Sequence, residues 1–313
     1  MTSKPKVSVL MSVYNGEEFL NEAIDSIIDQ TFKDFEFIII DDGSKDKSLK
    51  IIKSYKDPRI VLVSRPNKGL VASLNEGLNL AKGKYIARQD ADDISIPNRL
   101  EKEVMYMDSH PNTALVGSNY TVMDIKGNQL VTTNVFTHPN DLKLTQITCN
   151  QYGHGSVMLR KSAIEKVGNY DKSVGHVEDY DLWTRLSQNY DIANFEEPLY
   201  LYRKVEQGIS MSNAELQVQQ TFAVRDKAFK YYLKHQSEYK PLFYRPSGHH
   251  YRTRKAVLYR DLAYLHRREN KVFGALYMMS LAILLEPLNK KNYLCLEYVL
   301  YKPRFDRWVY EFL

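Results

Sequence analysis

Cysteine is scarce in this chain. There are two in 313 residues, Cys149 and Cys295, far apart and in no metal-ligand spacing. That excludes a disulfide framework and fits a reducing compartment. Long apolar runs are missing as well. The longest uncharged apolar stretch, Val272–Leu285, has 14 residues, short of the roughly 20 that a membrane-spanning helix needs. Neither a GxxxxGK[ST] loop nor a GxGxxG after the first strand-like run occurs, so the two commonest nucleotide-binding schemes are absent. No recognition helix, zinc finger or single-strand-binding signature points to nucleic acid. The opening MTSKPKVSVL has two lysines and then enters a strand-like run with no small-residue cleavage site. It reads as lacking a signal peptide, and the expected setting is the cytoplasm or the inner membrane surface.

What is present belongs to a globular protein. Hydrophobic residues at 43% and charged residues at 26% exclude wholesale disorder, and the length suits one large domain or two small ones. The net charge of +5 hides a split. Residues 1–213 carry 25 basic and 29 acidic side chains, while residues 214–313 carry 18 and 9, with 12 of the 23 tyrosines. The sequence divides accordingly into a region 1–212 and a basic, tyrosine-rich region 213–313. The second reads as a solvated helical face or as a surface for anionic lipid headgroups or a phosphate-bearing acceptor; a homodimer interface is the other use.

Strand and helix patterns alternate through the first region. Val7–Val13 is nearly continuous in apolar residues, as in a strand buried on both faces. Over 17–30, Phe19, Leu20, Ala23, Ile24, Ile27 and Ile28 fall on one helical stripe. Further strands are expected at 35–40, 60–63 and 85–87, with helices at 46–54 and 70–81 between them and another opened by Pro97. This order predicts an α/β fold with a mainly parallel sheet and helices on both faces. Beyond it, Ala114–Met123 and 129–133 form a hairpin, strands follow at 156–160, 192–195 and 199–203, and a helix covers 179–189. From Asn213 onward the pattern is helical, and 260–285 resembles one tetratricopeptide-like helix pair.

In open parallel sheets, ligands bind beyond the carboxyl ends of the strands. Tyr14-Asn15-Gly16, Asp41-Asp42-Gly43-Ser44 and Asp90-Ala91-Asp92-Asp93 all fall there. Each alone reads as a turn or cap; together they read as a site. Asp90 and Asp92 are candidates to share one Mg²⁺ or Mn²⁺, which prefer oxygen ligands. Asp93 is expected to cap the following helix. Glu178-Asp179 either simply opens a helix, where the dipole favours acids, or supplies a catalytic carboxylate. Trp183 and Leu186 are expected to pack that helix into the core.

These runs, with Arg65-Pro66-Asn67-Lys68-Gly69, Lys82-Gly83-Lys84-Tyr85-Ile86-Ala87-Arg88, His154-Gly155-Ser156-Val157-Met158, Gly168-Asn169-Tyr170-Asp171 and Glu178-Asp179-Tyr180-Asp181-Leu182-Trp183, resemble glycosyltransferase family 2 over about residues 5–212. The resemblance implies a GT-A fold and an inverting, metal-dependent transfer of sugar from a nucleotide-sugar, UDP-linked first of all. The acceptor is a hydroxyl of a glycan or lipid-linked saccharide in surface-polysaccharide synthesis.

It places Ser12, Tyr14 and Asn15 around the base, with Asp42 accepting from the uracil imide N–H. Asn67 and Lys68 lie near the nucleotide, Asp92 is the metal ligand, and Asp90 contacts sugar, ribose or metal. Asp179 is the general base with Glu178 beside it. His154 is either a neutral structural residue or an acceptor contact. Where relatives often carry Tyr-Arg-x-His, this chain has Tyr202-Arg203-Lys204-Val205, so a third protein ligand for the metal is in question. Arg203 and Ser210 remain as diphosphate contacts. Two other classes stay open, a nucleotidyltransferase acting on a sugar phosphate and a non-catalytic sugar- or protein-binding module.

Overall fold

The computed structural model describes residues 4–205, 214–235 and 249–301. The chain divides into two compact units, residues 1–226 and 227–313.

The first unit runs β1 (Val7–Val13), α1 (Leu20–Ile28), β2 (Phe35–Asp41), α2 (Ser48–Ser54), β3 (Ile60–Ser64), α3 (Leu70–Leu80), β4 (Tyr85–Gln89) and β5 (Ile94–Ser95). It continues through α4 (Arg99–Ser109), β6 (Thr113–Met123), β7 (Gln129–Thr132), α5 (Pro139–Thr148), β8 (Met158–Arg160), α6 (Lys161–Val167), α7 (Glu178–Asn189) and β9 (Asp191–Arg203). The division between units falls within α8 (Ala214–Lys234). The strands form one sheet in the order β3-β2-β1-β4-β8-β6-β9-β5, with β7 paired to β6.

The four strands β3-β2-β1-β4 are parallel, and their helices supply the crossovers that parallel pairing demands. All residues of β2, and all of β1 except Ser12, are buried, as a doubly covered strand requires. α1 turns Leu20, Ala23, Ile24 and Ile27 into this core. From β8 onward the sheet is mixed: β4–β8 and β8–β6 are antiparallel and β6–β9 is parallel.

Three differences from the sequence reading have local causes. The two strands expected at 192–195 and 199–203 are one strand, β9. A register shift opposite Ser118 and Asn119 absorbs Pro198, which has no N–H to give to the ladder. α1 starts at Leu20 rather than residue 17: residues 17–19 form a turn in which the Phe19 and Leu20 N–H groups both donate to the Gly16 carbonyl at 3.2 Å. Asp93 does not cap α4; its carboxylate is buried and accepts from the Arg203 N–H at 2.7 Å.

The second unit contains the end of α8 and three helices, α9 (His249–Arg268), α10 (Val272–Leu285) and α11 (Lys290–Tyr301). Leu262, Ala263, Leu265, Ala275, Met279 and Ala282 form its interior. Asn292 is fully buried and ties the last turn together, accepting from Arg260 Nη1 at 2.7 Å and donating to the Glu286 carbonyl at 2.7 Å. Among the described residues, no helix is long and apolar enough to cross a membrane.

Candidate active site

The loops after β1 and β2 are laced together by hydrogen bonds. Asn15, at φ 53°, accepts the Lys45 N–H on Oδ1 at 2.8 Å, and its own N–H donates to Ser44 Oγ at 3.1 Å. The Gly16 N–H donates to Ser48 Oγ at 2.9 Å. This leaves the Tyr14 ring half exposed at the end of β1, just past the half-buried Ser12.

Asp42 is almost fully buried. Its carboxylate pairs with Arg65 and accepts the N–H groups of Lys68 at 2.8 Å and Gly69 at 2.9 Å. Asp42 is therefore the knot that draws residues 65–69 against the end of β2. Of its two oxygens, Oδ2 carries the single Gly69 bond and keeps a free lone pair. The Asn67 and Lys68 side chains stand exposed beside it. Gly43 makes the close approach possible: its φ is +78°, and a Cβ there would lie 2.6 Å from the Asn67 nitrogen.

The acidic run follows β4. Arg88 is buried and donates to the Leu10 carbonyl at 2.9 Å and to the Asp90 carboxylate. The Asp90 N–H donates to Tyr200 Oη at 3.1 Å. Burial, then the charge of Asp90, pushes Asp92 up to about 6. Asp93, still more deeply buried, is pushed well above the carboxylate range by the same two causes and by Asp92.

The Glu178-Asp179 pair sits in the first turn of α7. Trp183 and Leu186, both fully buried, anchor that helix. Asp179 Oδ2 accepts from Asn150 Nδ2 at 2.8 Å, and Oδ1 takes the Tyr180 N–H at 2.6 Å. Burial nevertheless raises Asp179 to about 6, with Asp90 adding to the rise. Glu178 is raised to about 7 by burial and by Asp179. His154 Nδ1 stands 3.8 Å from Glu178 Oε1. Burial and the Arg88 charge push its pKa down to about 3, so the ring is neutral and the contact is not an ion pair. Its Nε2 meets Tyr170 Oη at 3.1 Å. The glycine beside it is required: a Cβ on Gly155 would fall 2.0 Å from Tyr200 Oη and 2.7 Å from Asp90 Oδ2.

Asp90 links the two constellations. Its charge acts on Asp92 and Asp93 on one side and on Glu178 and Asp179 on the other. The structure thus brings Asp90, Asp92, Glu178, Asp179 and His154 into one electrostatic neighbourhood.

Arg203 differs from its expected place. It is buried and committed: Nε to the Asp92 carbonyl at 2.9 Å, Nη2 to Glu22 Oε2 at 2.7 Å, the guanidinium 4.3 Å from the Phe19 ring centre. It braces the acidic loop from below instead of presenting its fork to a diphosphate. Ser210 lies outside the described residues. Four contributors had no sequence signal of their own. Asn150 follows an unexpected helix, Tyr200 sits inside a strand, and Gln217 and Gln220 of α8 clamp the loop before α7. Gln220 Oε1 accepts the His176 N–H at 2.9 Å, and Gln217 Nε2 donates to the His176 carbonyl at 3.0 Å.

Residues 8–168 match the family model for glycosyl transferase family 2. The chain belongs to that family. It is 38% identical over 214 residues, 65% of this chain and 75% of the relative, to the glycosyltransferase EpsE of Bacillus subtilis (strain 168). It is 32% identical over 212 residues, covering 66% and 78%, to the amylovoran biosynthesis glycosyltransferase AmsE of Erwinia amylovora. The fold is that of S. aureus TarS 1–349 solved with UDP-GlcNAc (TM-score 0.60, 17% identity, 94% of this chain and 90% of that one). It is also that of the Pyrobaculum calidifontis mannosyltransferase PcManGT solved with GDP-Man and Mn²⁺ (TM-score 0.54, 16% identity, 96% and 82%). The family 2 protein is a glycosyltransferase with the GT-A fold. A nucleotidyltransferase or a non-catalytic module, both weighed from the sequence, gives way to this assignment.

Proposed function

We propose that this glycosyltransferase moves a sugar from a nucleotide-sugar, most readily a UDP-sugar, to a hydroxyl of a glycan or lipid-linked saccharide in surface-polysaccharide synthesis, with inversion at the anomeric carbon. The observation that carries the reading is the closeness of the two acidic constellations: Asp90, after β4, lies against Gly155, whose neighbour His154 stands 3.8 Å from Glu178 beside the partly buried Asp179 on α7. The polysaccharide assignment draws on the amylovoran relative, and the donor class on the UDP-GlcNAc and GDP-Man bound by the two solved neighbours.

The donor lies across the carboxyl ends of β1, β2 and β4. The Tyr14 ring offers a stacking face for the base, with Ser12 and Asn15 beside it and Asp42 Oδ2 free to accept an imide N–H. Asn67 and Lys68 approach the diphosphate, where the lysine offsets its charge. Among the described residues no group of three or more His, Cys, Asp or Glu is arranged to hold a metal ion. The donor set that is present fits a hard divalent cation all the same: Asp92, its ionisation held back by burial and by Asp90, is relieved by such an ion. Asp92, with Asp90, would hold it together with diphosphate oxygens. When bound, Mg²⁺ or Mn²⁺ stabilises the negative charge that grows on the departing diphosphate.

Asp179 takes the acceptor proton on Oδ1 or Oδ2. A pKa near 6 leaves it mostly ionised at neutral pH yet basic enough to act. Asn150 holds its orientation, and Glu178 lines the acceptor side next to the neutral His154. As the acceptor oxygen bonds to the anomeric carbon, the bond to the diphosphate breaks and the nucleoside diphosphate leaves.

The test is a thermal-shift screen of UDP-, GDP- and dTDP-sugars with Mn²⁺, followed by assay of nucleoside diphosphate release. Asp179→Asn should keep the donor-induced shift and lose about 10²–10⁴ in turnover. Wild-type turnover in that variant would overturn the assignment of the base.

A further inference from the structure

Helix α10 contains no charged residue along its length, VFGALYMMSLAILL. One side packs inward through Ala275, Met278, Met279 and Ala282. The other sets Phe273, Tyr277, Ser280 and Leu284 in a row at helical spacing, and Leu288, three residues past the helix end, is also exposed. Phe273 is 90% exposed and Leu288 94%. Single exposed apolar residues are ordinary on a protein surface; a row that includes an almost bare phenylalanine, with an almost bare leucine just past it, is not. Exposed lysines bracket the row, Lys271 just before it and Lys290 and Lys291 just after. Glu286, the acid nearest its end, is engaged by Asn289 Nδ2 at 2.8 Å.

We infer that the outer face of α10, from Phe273 to Leu288 with its flanking lysines, docks in the plane of an anionic phospholipid surface. With its inner side packed on the protein, the helix offers an exposed apolar row to enter the acyl boundary, and the lysines in the flanking segments can stay among the headgroups. At 14 residues it is too short to span the bilayer and suited to lying on it. The surrounding sequence agrees in sign, with 18 basic against 9 acidic side chains over 214–313. A second copy of the chain is the less suitable occupant. A two-fold contact through this face would set the same lysines of both copies against each other, whereas an anionic leaflet supplies opposite charge and apolar depth together. The inference goes beyond the transferase reading and does not depend on it.

The experiment is flotation of the full chain with vesicles of phosphatidylcholine alone and of phosphatidylcholine with phosphatidylglycerol. Binding should require phosphatidylglycerol and weaken as salt rises. The pair Phe273→Ser/Leu288→Ser should bind about tenfold less or worse. Lys271→Gln, Lys290→Gln and Lys291→Gln should each cost about fivefold. Because these side chains are exposed, the variants should melt with the wild type, which separates lost docking from lost folding. Three results would overturn the inference. They are no binding to anionic vesicles, equal binding by the Phe273/Leu288 variant, or a dimer in sedimentation that this variant abolishes while vesicles stay unbound.

Discussion

Asn150 Nδ2 donates to Asp179 Oδ2 at 2.8 Å, so an uncharged amide steadies the carboxylate proposed as the base. Donation to the ionised form lowers a carboxylate's pKa and partly offsets the rise that burial causes. In Asn150→Ala that offset is lost and the Asp179 pKa rises. The acidic limb of kcat against pH should move upward, by up to about one pH unit. Activity should therefore fall more at pH 6 than at pH 8, as a pH–rate profile will show. An equal loss at all pH values would mean that Asn150 only shapes the loop.

Gly43 allows the 65–69 segment to lie against β2. In Gly43→Ala the residue must hold φ +78°, and its new methyl would fall 2.6 Å from the Asn67 nitrogen. The left-handed conformation alone costs about 1–2 kcal/mol. Melting should drop by several degrees, and the donor-induced thermal shift should shrink because Asn67, Lys68 and the Asp42 knot move together.

Several wholly or partly buried acids hold their protons more tightly in the fold than in the unfolded chain. Glu103, fully buried beside Arg99, is raised to about 7 by burial, Glu178 to about 7, and Asp92 and Asp179 to about 6. Each binds its proton more tightly folded than unfolded, so stability declines as pH climbs from about 4.5 towards 7. The melting temperature of the metal-free protein should fall across that window. Glu103→Gln removes the contributor that lies on α4 and should flatten the slope.

Gln217 and Gln220 pin the two sides of the His176 peptide, two residues ahead of Glu178. Both lie beyond residue 168, where the family model ends. The double variant Gln217→Ala/Gln220→Ala should lower kcat severalfold and leave the KM for donor nearly unchanged. Measuring the two constants separately distinguishes this from general unfolding, which would reduce active enzyme without such a split.

The alternation of doubly buried strands and striped helices up to β4 was legible in the sequence, because β1 and β2 are apolar on both faces and α1 on one. The Asp42, Asp90, Asp92 and Asp179 positions were legible through their place at strand ends and in linked motifs. What escaped was whatever depends on the far side of a contact. Asp93 reads as a cap until Arg203 arrives from β9, 110 residues later, to claim it. Arg203 reads as a phosphate ligand until Glu22 and the Asp92 carbonyl absorb its donors. α5 was missed because its apolar residues Leu142, Leu144 and Ile147 follow no clean helical stripe, and Asn150 was missed with it.

Asp90 repels charge on both constellations at once. Any positive species that settles against it must lower the Asp179 pKa as well, so loading the donor side leaves the carboxylate more fully ionised and a somewhat weaker base. Occupation of the donor side is thereby felt at the proposed base through charge alone, before the acceptor arrives.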